Sequence, residues 1–459
     1  MPTRRPVVVV VGAGSAGSVV AATLVASGRC EVVLLEAGPD LVPGHRPVSV
    51  DGPSFVTAMA EPGLTWEPLP AVRVSGQGAR RYVRGRGVGG SSVVNAMVAL
   101  PGHPDDYDEW ERDLGCAGWG WSEFAPWFDR VRSVQALTPA RADEIGPVGR
   151  ALMAADDRAE VAMLTRDAAG RRVTAADAFL GPWRGSASLA VRPHAEVGRV
   201  VLDGRRATGV VLVDGSEIEA DAVVVCAGAV HSPTILLRSG VERPGIGIGL
   251  QDHPSFPVTF GLHGDPGESG IGTRLSVGAL LRAGLAAPDD LQVLAMEEAD
   301  PAAPGLGLLL GAVMRVWSRG TVALGVDPDG PPLVDFGMLG DERDMAAMRA
   351  VVALLGSLAS RPEFEAVGAV LPHATDDNAI RAAVGDYVHA TSTCRMGRPD
   401  DDLAVVDTTG RVIGHEGLWV VDASVMPRVP RANTHLPTMA LALRLATRWV
   451  AESLPAWDA

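Results

Sequence analysis

The sequence predicts an α/β plus α+β protein: a Rossmann-like domain on a buried parallel sheet, and a second, mainly antiparallel-sheet domain. Three observations predict it. Five consecutive valines, Val7 to Val11, run into Gly12-x-Gly14-x-x-Gly17, and a second apolar run, Val32 to Leu35, ends on Glu36. Pro254 to Val384 changes character, with alternating apolar segments and many Gly and Pro turns that suit antiparallel strands. Leu418 to Val421 is again a buried-type strand, ending in Asp422 and followed by a loop and a helical stretch, so the first domain is expected to be discontinuous.

Taken in order, Val7 to Val11 shows no polar alternation, as in a strand covered on both faces. Gly12 then permits the tight turn, Gly14 lets backbone approach a pyrophosphate, and Gly17 brings helix and strand together. Ser15 and Ala16 open the helix whose N-terminus receives that anion. Glu36 lies 19 residues beyond Gly17, where a carboxylate accepts adenosine ribose hydroxyls. The unit binds an adenosine dinucleotide and leaves NAD and FAD both open. From Leu41 to Pro70, prolines and glycines break every candidate helix, which reads as an extended excursion over the surface or the cofactor. Arg84 to Met97 (RGRGVGGSSVVNAM) is a second small-residue loop whose backbone and hydroxyl donors can face phosphate or a flat ring.

Asp105 to Trp110 opens a helical region through Phe128, with its aromatics read as packing. Residues 135–185 show no clear chemistry, and Arg171 and Arg172 are read as a solvated face. Strands follow at Leu189 to Pro193, Arg199 to Leu202 and Thr208 to Val213, with hairpin dipeptides at Asp203-Gly204 and Asp214-Gly215. Ala222 to Cys226 is a buried strand, and Pro233 suits the first turn of a helix to Arg238. A helix is expected near Asp341 to Ser360, and another over Thr438 to Val450.

The chain has 459 residues, enough for two or more domains, and a formal charge of −15, which argues against nucleic acid or an anionic membrane as partner. No apolar run reaches the roughly 20 residues of a membrane-spanning helix. Four cysteines form no disulfide framework, and there is no lysine for Schiff-base chemistry. A cytoplasmic location is expected.

Four blocks, VGAGSAG with Glu36, GRGVGGSSVVNAM, CAGAVHSPTILLRSG and HATSTCRMG…VVDASVMPRVPRANTHLPTMALA, resemble the glucose–methanol–choline (GMC) oxidoreductases. The resemblance implies FAD, and the compact chain is also similar to the mycofactocin-associated members. It implies FAD-dependent oxidation of a small alcohol to a carbonyl, with reoxidation by oxygen, a quinone or another redox carrier. The cofactor-binding set it implies is Gly12, Gly14, Ser15, Ala16, Gly17, Glu36, Ala37, Arg86, Gly89, Gly90, Ser91, Asn95, Val197, Asp422, Ala423, Thr434 and Pro437. Relatives that attach FAD covalently use a histidine where Val94 stands, so the flavin is expected to be non-covalent. The resemblance implies that the helix starting near Pro437 points its positive end at the flavin pyrimidine. Residues 1–135, 186–253 and 386–459 are expected to form the FAD-binding domain, and 136–185 and 254–385 the substrate domain.

Alcohol oxidation needs a base for the hydroxyl proton and an acceptor for hydride, flavin N5. Histidine suits the first task because its pKa lies near neutrality. His389 and His435 match the family's active-site pair. His389 is expected to be the base and His435 the partner holding the substrate oxygen, with Asn433 the weaker candidate and His253 structural. No metal site is expected. Two other function classes fit parts of the sequence. One is a hydroxynitrile-lyase-like enzyme on the same fold. The other is an NAD-dependent dehydrogenase, on the first βαβ unit alone.

Overall fold

The computed structural model describes residues 4–263, 275–297 and 305–452. Val7–Val11 lies at the centre of a five-stranded parallel sheet ordered Leu418–Val420, Ala222–Val225, Val7–Val11, Glu31–Leu35, Leu189–Arg192. Val8, Val9, Val10 and Val223 to Val225 are all fully buried, which explains why these runs lack polar alternation. The Ser15–Ser27 helix follows the first strand, and the long His435–Ala451 helix packs against it in the same core. The C-terminal return to the first sheet is therefore present.

The Leu189 run is a strand, the parallel edge beside Glu31–Leu35, and the Asp203-Gly204 and Asp214-Gly215 dipeptides turn the antiparallel pairs Val197–Asp203 with Arg206–Leu212 and Arg206–Leu212 with Glu217–Glu219. Three other local expectations need correction. The helix expected from Pro233 starts at Gly228, so Pro233 is interior. Its ring removes the N–H that would bond the Ala229 carbonyl, and the Thr393 hydroxyl donates to that carbonyl instead, at 2.7 Å. The last helix starts at His435 and not near Thr438. Pro437 falls in its first turn, where backbone N–H groups have no intrahelical partner anyway. Within the 41–70 excursion, two short helices, Val48–Asp51 and Phe55–Ala60, also form despite the breakers.

The second sheet has six antiparallel strands, ordered Gly368–Val370, Ser255–Leu262, Leu306–Val313, Leu291–Glu297, Val277–Ala283, Ala159–Val161. The Glu342–Ala359 helix covers it with Met345, Met348, Val351 and Leu355, all buried. Two pieces run across the expected domain boundaries. Ala175, Ala176, Phe179 and Leu180 join the parallel-sheet core. Pro70–Val72 and Arg80–Arg81 extend a separate sheet with Ile248–Leu250, Gly320–Ala323 and Leu333–Asp335. Among the described residues no helix is long and apolar enough to cross a membrane.

Candidate active site

A cavity of about 460 Å³ is lined from both the parallel and the six-stranded sheet, a volume ordinary for a ligand cleft. One end is made by the two glycine loops set back to back. A Cβ on Gly17 would lie 1.8 Å from the Gly12 carbonyl oxygen, and one on Gly90 would lie 2.6 Å from Gly14 Cα. Gly89 N–H also donates to the Ala13 carbonyl at 2.8 Å. The Ser15–Ser27 helix has no side-chain cap and no acidic residue in its first turn, so its free N–H groups are left for an anion. That uncapped, positive helix end beside Glu36 fits the pyrophosphate and ribose of FAD.

Glu36 does more than face a ribose. One carboxylate oxygen accepts from Ala13 N–H, and the other from Gly38 and Gly87 N–H, all at 2.9 Å. The residue thus ties the strand end to both loops. Burial pushes its pKa up, opposed by those three donors. Ser15, Ala16, Ala37, Ser91, Asn95, Val197, Asp422, Ala423 and Thr434 line the cavity with Gly12, Gly14, Glu36 and Gly90, whereas Gly17, Arg86, Gly89 and Pro437 do not. Gly17 and Gly89 act by close backbone approach. Arg86 lies over the Trp66 ring and 3.6 Å from Glu196. Pro437 is internal to the helix start.

At the other end stands His389. Its Nδ1 meets His253 Nδ1 at 3.0 Å, and His253 Nε2 meets the Pro430 carbonyl oxygen at 3.2 Å. A carbonyl can only accept, so His253 carries its proton on Nε2. Burial holds His253 neutral, its pKa down to about 3, so its Nδ1 is a lone pair. His389 must then donate from Nδ1, which leaves Nε2 unprotonated and facing the cavity. Burial, then His253 and Arg84, hold His389 well below the usual histidine range. Asp252 supports the pair. One oxygen accepts from the His253 and His389 backbone N–H groups at 2.7 and 2.9 Å, and the other from the Tyr82 hydroxyl at 3.0 Å. Asp252, His253 and His389 place ligand-type atoms within 4.8 Å of one another, yet those hydrogen bonds already occupy Asp252 and His253.

The expected second partner is corrected by this geometry. Asn433 Nδ2 lies 3.5 Å from His389 Nε2, while His435 Nδ1 is 2.9 Å from the Ser15 hydroxyl. His435 Nε2 and Asn433 Oδ1 are both buried without a partner among the described residues. His435 therefore belongs to the glycine-loop side of the cavity, its pKa lowered by burial to about 4. His253, expected to be merely structural, is the residue that sets the His389 tautomer; its Asp-His dipeptide gave the only sequence signal.

Arg172 is also corrected, because it is fully buried beneath the second glycine loop. It donates from Nη1 to the Asn95 carbonyl and to Asn95 Oδ1, each at 2.7 Å, and from Nε to the Val50 carbonyl. Met97 N–H also donates to Asn95 Oδ1, at 3.1 Å. With that oxygen occupied, Asn95 offers the cavity its amide N–H groups. Burial and neighbouring Arg46 lower the Arg172 pKa to about 9. Arg171, by contrast, is exposed and paired with Asp167. Cys394 is buried with its thiol pushed up, so it is no nucleophile.

Family models described as GMC oxidoreductase match residues 7–255 and 317–442. The chain is 32% identical to 5-(hydroxymethyl)furfural oxidase of a Methylovorus species, over 95% of this chain and 97% of that one. It is 31% identical to oxygen-dependent choline dehydrogenase of Brucella canis, over 94% and 93% respectively. Its fold matches a crystal structure of pyridoxine 4-oxidase from Mesorbium loti with a TM-score of 0.86, at 27% identity over 96% of this chain and 98% of that one. Nothing in the names of these relatives points to a mycofactocin-associated member.

Proposed function

The chain belongs to the GMC oxidoreductase family, and from that premise we propose that His389 is the base of its alcohol oxidation, with Asn433 as its partner. It is an FAD-dependent alcohol oxidoreductase. The single observation that supports the assignment is the His253–His389 contact, which leaves His389 Nε2 a lone pair at the cavity. When bound, FAD supplies the hydride acceptor, N5.

The remaining work falls to the chain's own side chains. His389 Nε2 takes the hydroxyl proton, and Nδ1–H of the resulting imidazolium keeps its acceptor in His253. Asn433 Nδ2 donates to the alcohol oxygen as it gains negative charge, an interaction that strengthens along the reaction. Asn95, held by Arg172, would offer its amide N–H groups to the cofactor, and the uncapped start of the Ser15–Ser27 helix would hold the pyrophosphate. The start of the His435–Ala451 helix brings positive potential to the same glycine-loop side, where His435 Nδ1 meets the Ser15 hydroxyl.

Val94 lines the cavity with an alkyl side chain that cannot bond to a flavin methyl carbon, which supports a non-covalent FAD. Two measurements test the reading. Acid precipitation of the purified protein should release the yellow colour to the supernatant. An alcohol added anaerobically should bleach the flavin, and a His389→Ala variant with equal FAD content should not bleach at a comparable rate. Full-rate bleaching by that variant would remove His389 from the chemistry.

A further inference from the structure

Among the described residues, the part of the cavity wall supplied by the six-stranded sheet is apolar. In the six-stranded sheet, Met296 pairs across the ladder with Val277, and Leu294 with Leu310. Leu294 and Met296 are two apart on one strand, and directly paired residues share a face. These four side chains therefore form one patch, and all four line the cavity, joined by Met97. Tyr387, also in the lining, gives its hydroxyl to Gln292 Oε1 at 2.9 Å.

Among the described residues, each carboxylate in the lining already has a partner. Asp386 accepts from Arg73 at 2.6 Å. Glu36 holds three backbone N–H groups, and Asp422 holds Gly228 N–H, Ser424 N–H and the Ser232 hydroxyl. Glu196 is the partner of Arg86. A positive charge bears on His389 from the lining, that of Arg84, whose guanidinium donates to the Val388 carbonyl and the Ser91 hydroxyl. A cationic alcohol would meet this charge, with no unpartnered carboxylate among the described residues of the lining. A polyol would leave its further hydroxyls buried against hydrocarbon, a heavy desolvation cost.

Resting on the alcohol-oxidising reading above, we propose that the substrate is an uncharged alcohol with an apolar body, an aryl or alkyl carbinol. The Val277, Leu294, Met296 and Leu310 patch holds that body. The hydroxyl sits between His389 and Asn433.

The test uses the FAD-loaded enzyme and stopped-flow flavin reduction under anaerobic conditions. Four probes are compared: benzyl alcohol, choline, glucose and 4-(hydroxymethyl)benzoate. Benzyl alcohol should give a reduction rate per unit concentration at least about 100-fold above each of the others, the scale on which apolar pockets discriminate. A Leu294→Asn variant of equal FAD content should need at least about 10-fold more benzyl alcohol for half-maximal rate. Faster reduction by choline, glucose or the benzoate overturns the inference while leaving alcohol oxidation standing. An unchanged concentration dependence in Leu294→Asn overturns the assignment of the patch. No bleaching by any of the four overturns the substrate class, and the parent reading survives only if another alcohol bleaches the flavin.

Discussion

Replacing His253 by phenylalanine tests the base assignment without touching the base. The ring keeps its volume, but the acceptor for His389 Nδ1–H, now 3.0 Å away, disappears. Two consequences follow from the geometry. A buried donor is left unpaired, costing about 1–3 kcal/mol, and the other tautomer, with the proton on Nε2, is no longer disfavoured by His253. In that tautomer Nε2 cannot accept the substrate proton. At about 1.4 kcal/mol per tenfold change, this corresponds to a loss of roughly 5- to 150-fold in flavin reduction. The assay is anaerobic stopped-flow bleaching at saturating alcohol, with FAD content matched by absorbance. A His253→Asn variant should recover part of the loss, because its amide oxygen lies near the position of Nδ1 and can accept the same proton. A His253→Phe enzyme that reduces its flavin at the parent rate would refute the tautomer argument.

Three further predictions come from the same site. Asn433→Ala should slow flavin reduction by about 10²–10³-fold, the range for losing one donor to a developing oxyanion, whereas His435→Ala should weaken FAD retention more than the chemistry; the reverse ranking would restore His435 as the substrate partner. Glu36→Ala should weaken FAD binding by about 1.5–3 kcal/mol for the lost charge-assisted bonds and also lower the melting temperature, since three backbone N–H groups lose their acceptor; titration with FAD and a thermal melt of the FAD-free protein read the two effects separately. Because burial, His253 and Arg84 all disfavour protonated His389, the rate of flavin reduction should stay level as pH falls through 6.5 and drop only at lower pH, where the base becomes protonated. A decline centred on 6.5 in the pH–rate profile would show that His389 titrates as a solvated histidine.

The sequence by itself determined the parts of this protein whose signals are local. Val7 to Val11 and Ala222 to Val225 read as doubly covered strands because burial on both faces leaves no polar alternation. The glycine spacing of residues 12–17 and the acid at Glu36 lie within one βαβ unit, so the chain alone fixes their relation. His389 was legible from the block in which it stands.

Only the tertiary structure decided how the active-site partners are chosen. Asn433 and His435 are two residues apart at a helix start, and positions i and i+2 do not share a face, so one reaches His389 and the other Ser15. Which of the two did so depended on the helix beginning at His435, a boundary the proline had obscured. His253 reaches His389 across 136 positions of sequence. Arg172 is buried only because Asn95 and Val50 supply carbonyls around it, while its neighbour Arg171 stays in solvent. The apolar wall is a matter of ladder register, since a slip of one residue would turn Leu294 and Met296 away from the cavity. Such choices rest on pairings between distant segments, and no local pattern of residue types carries them.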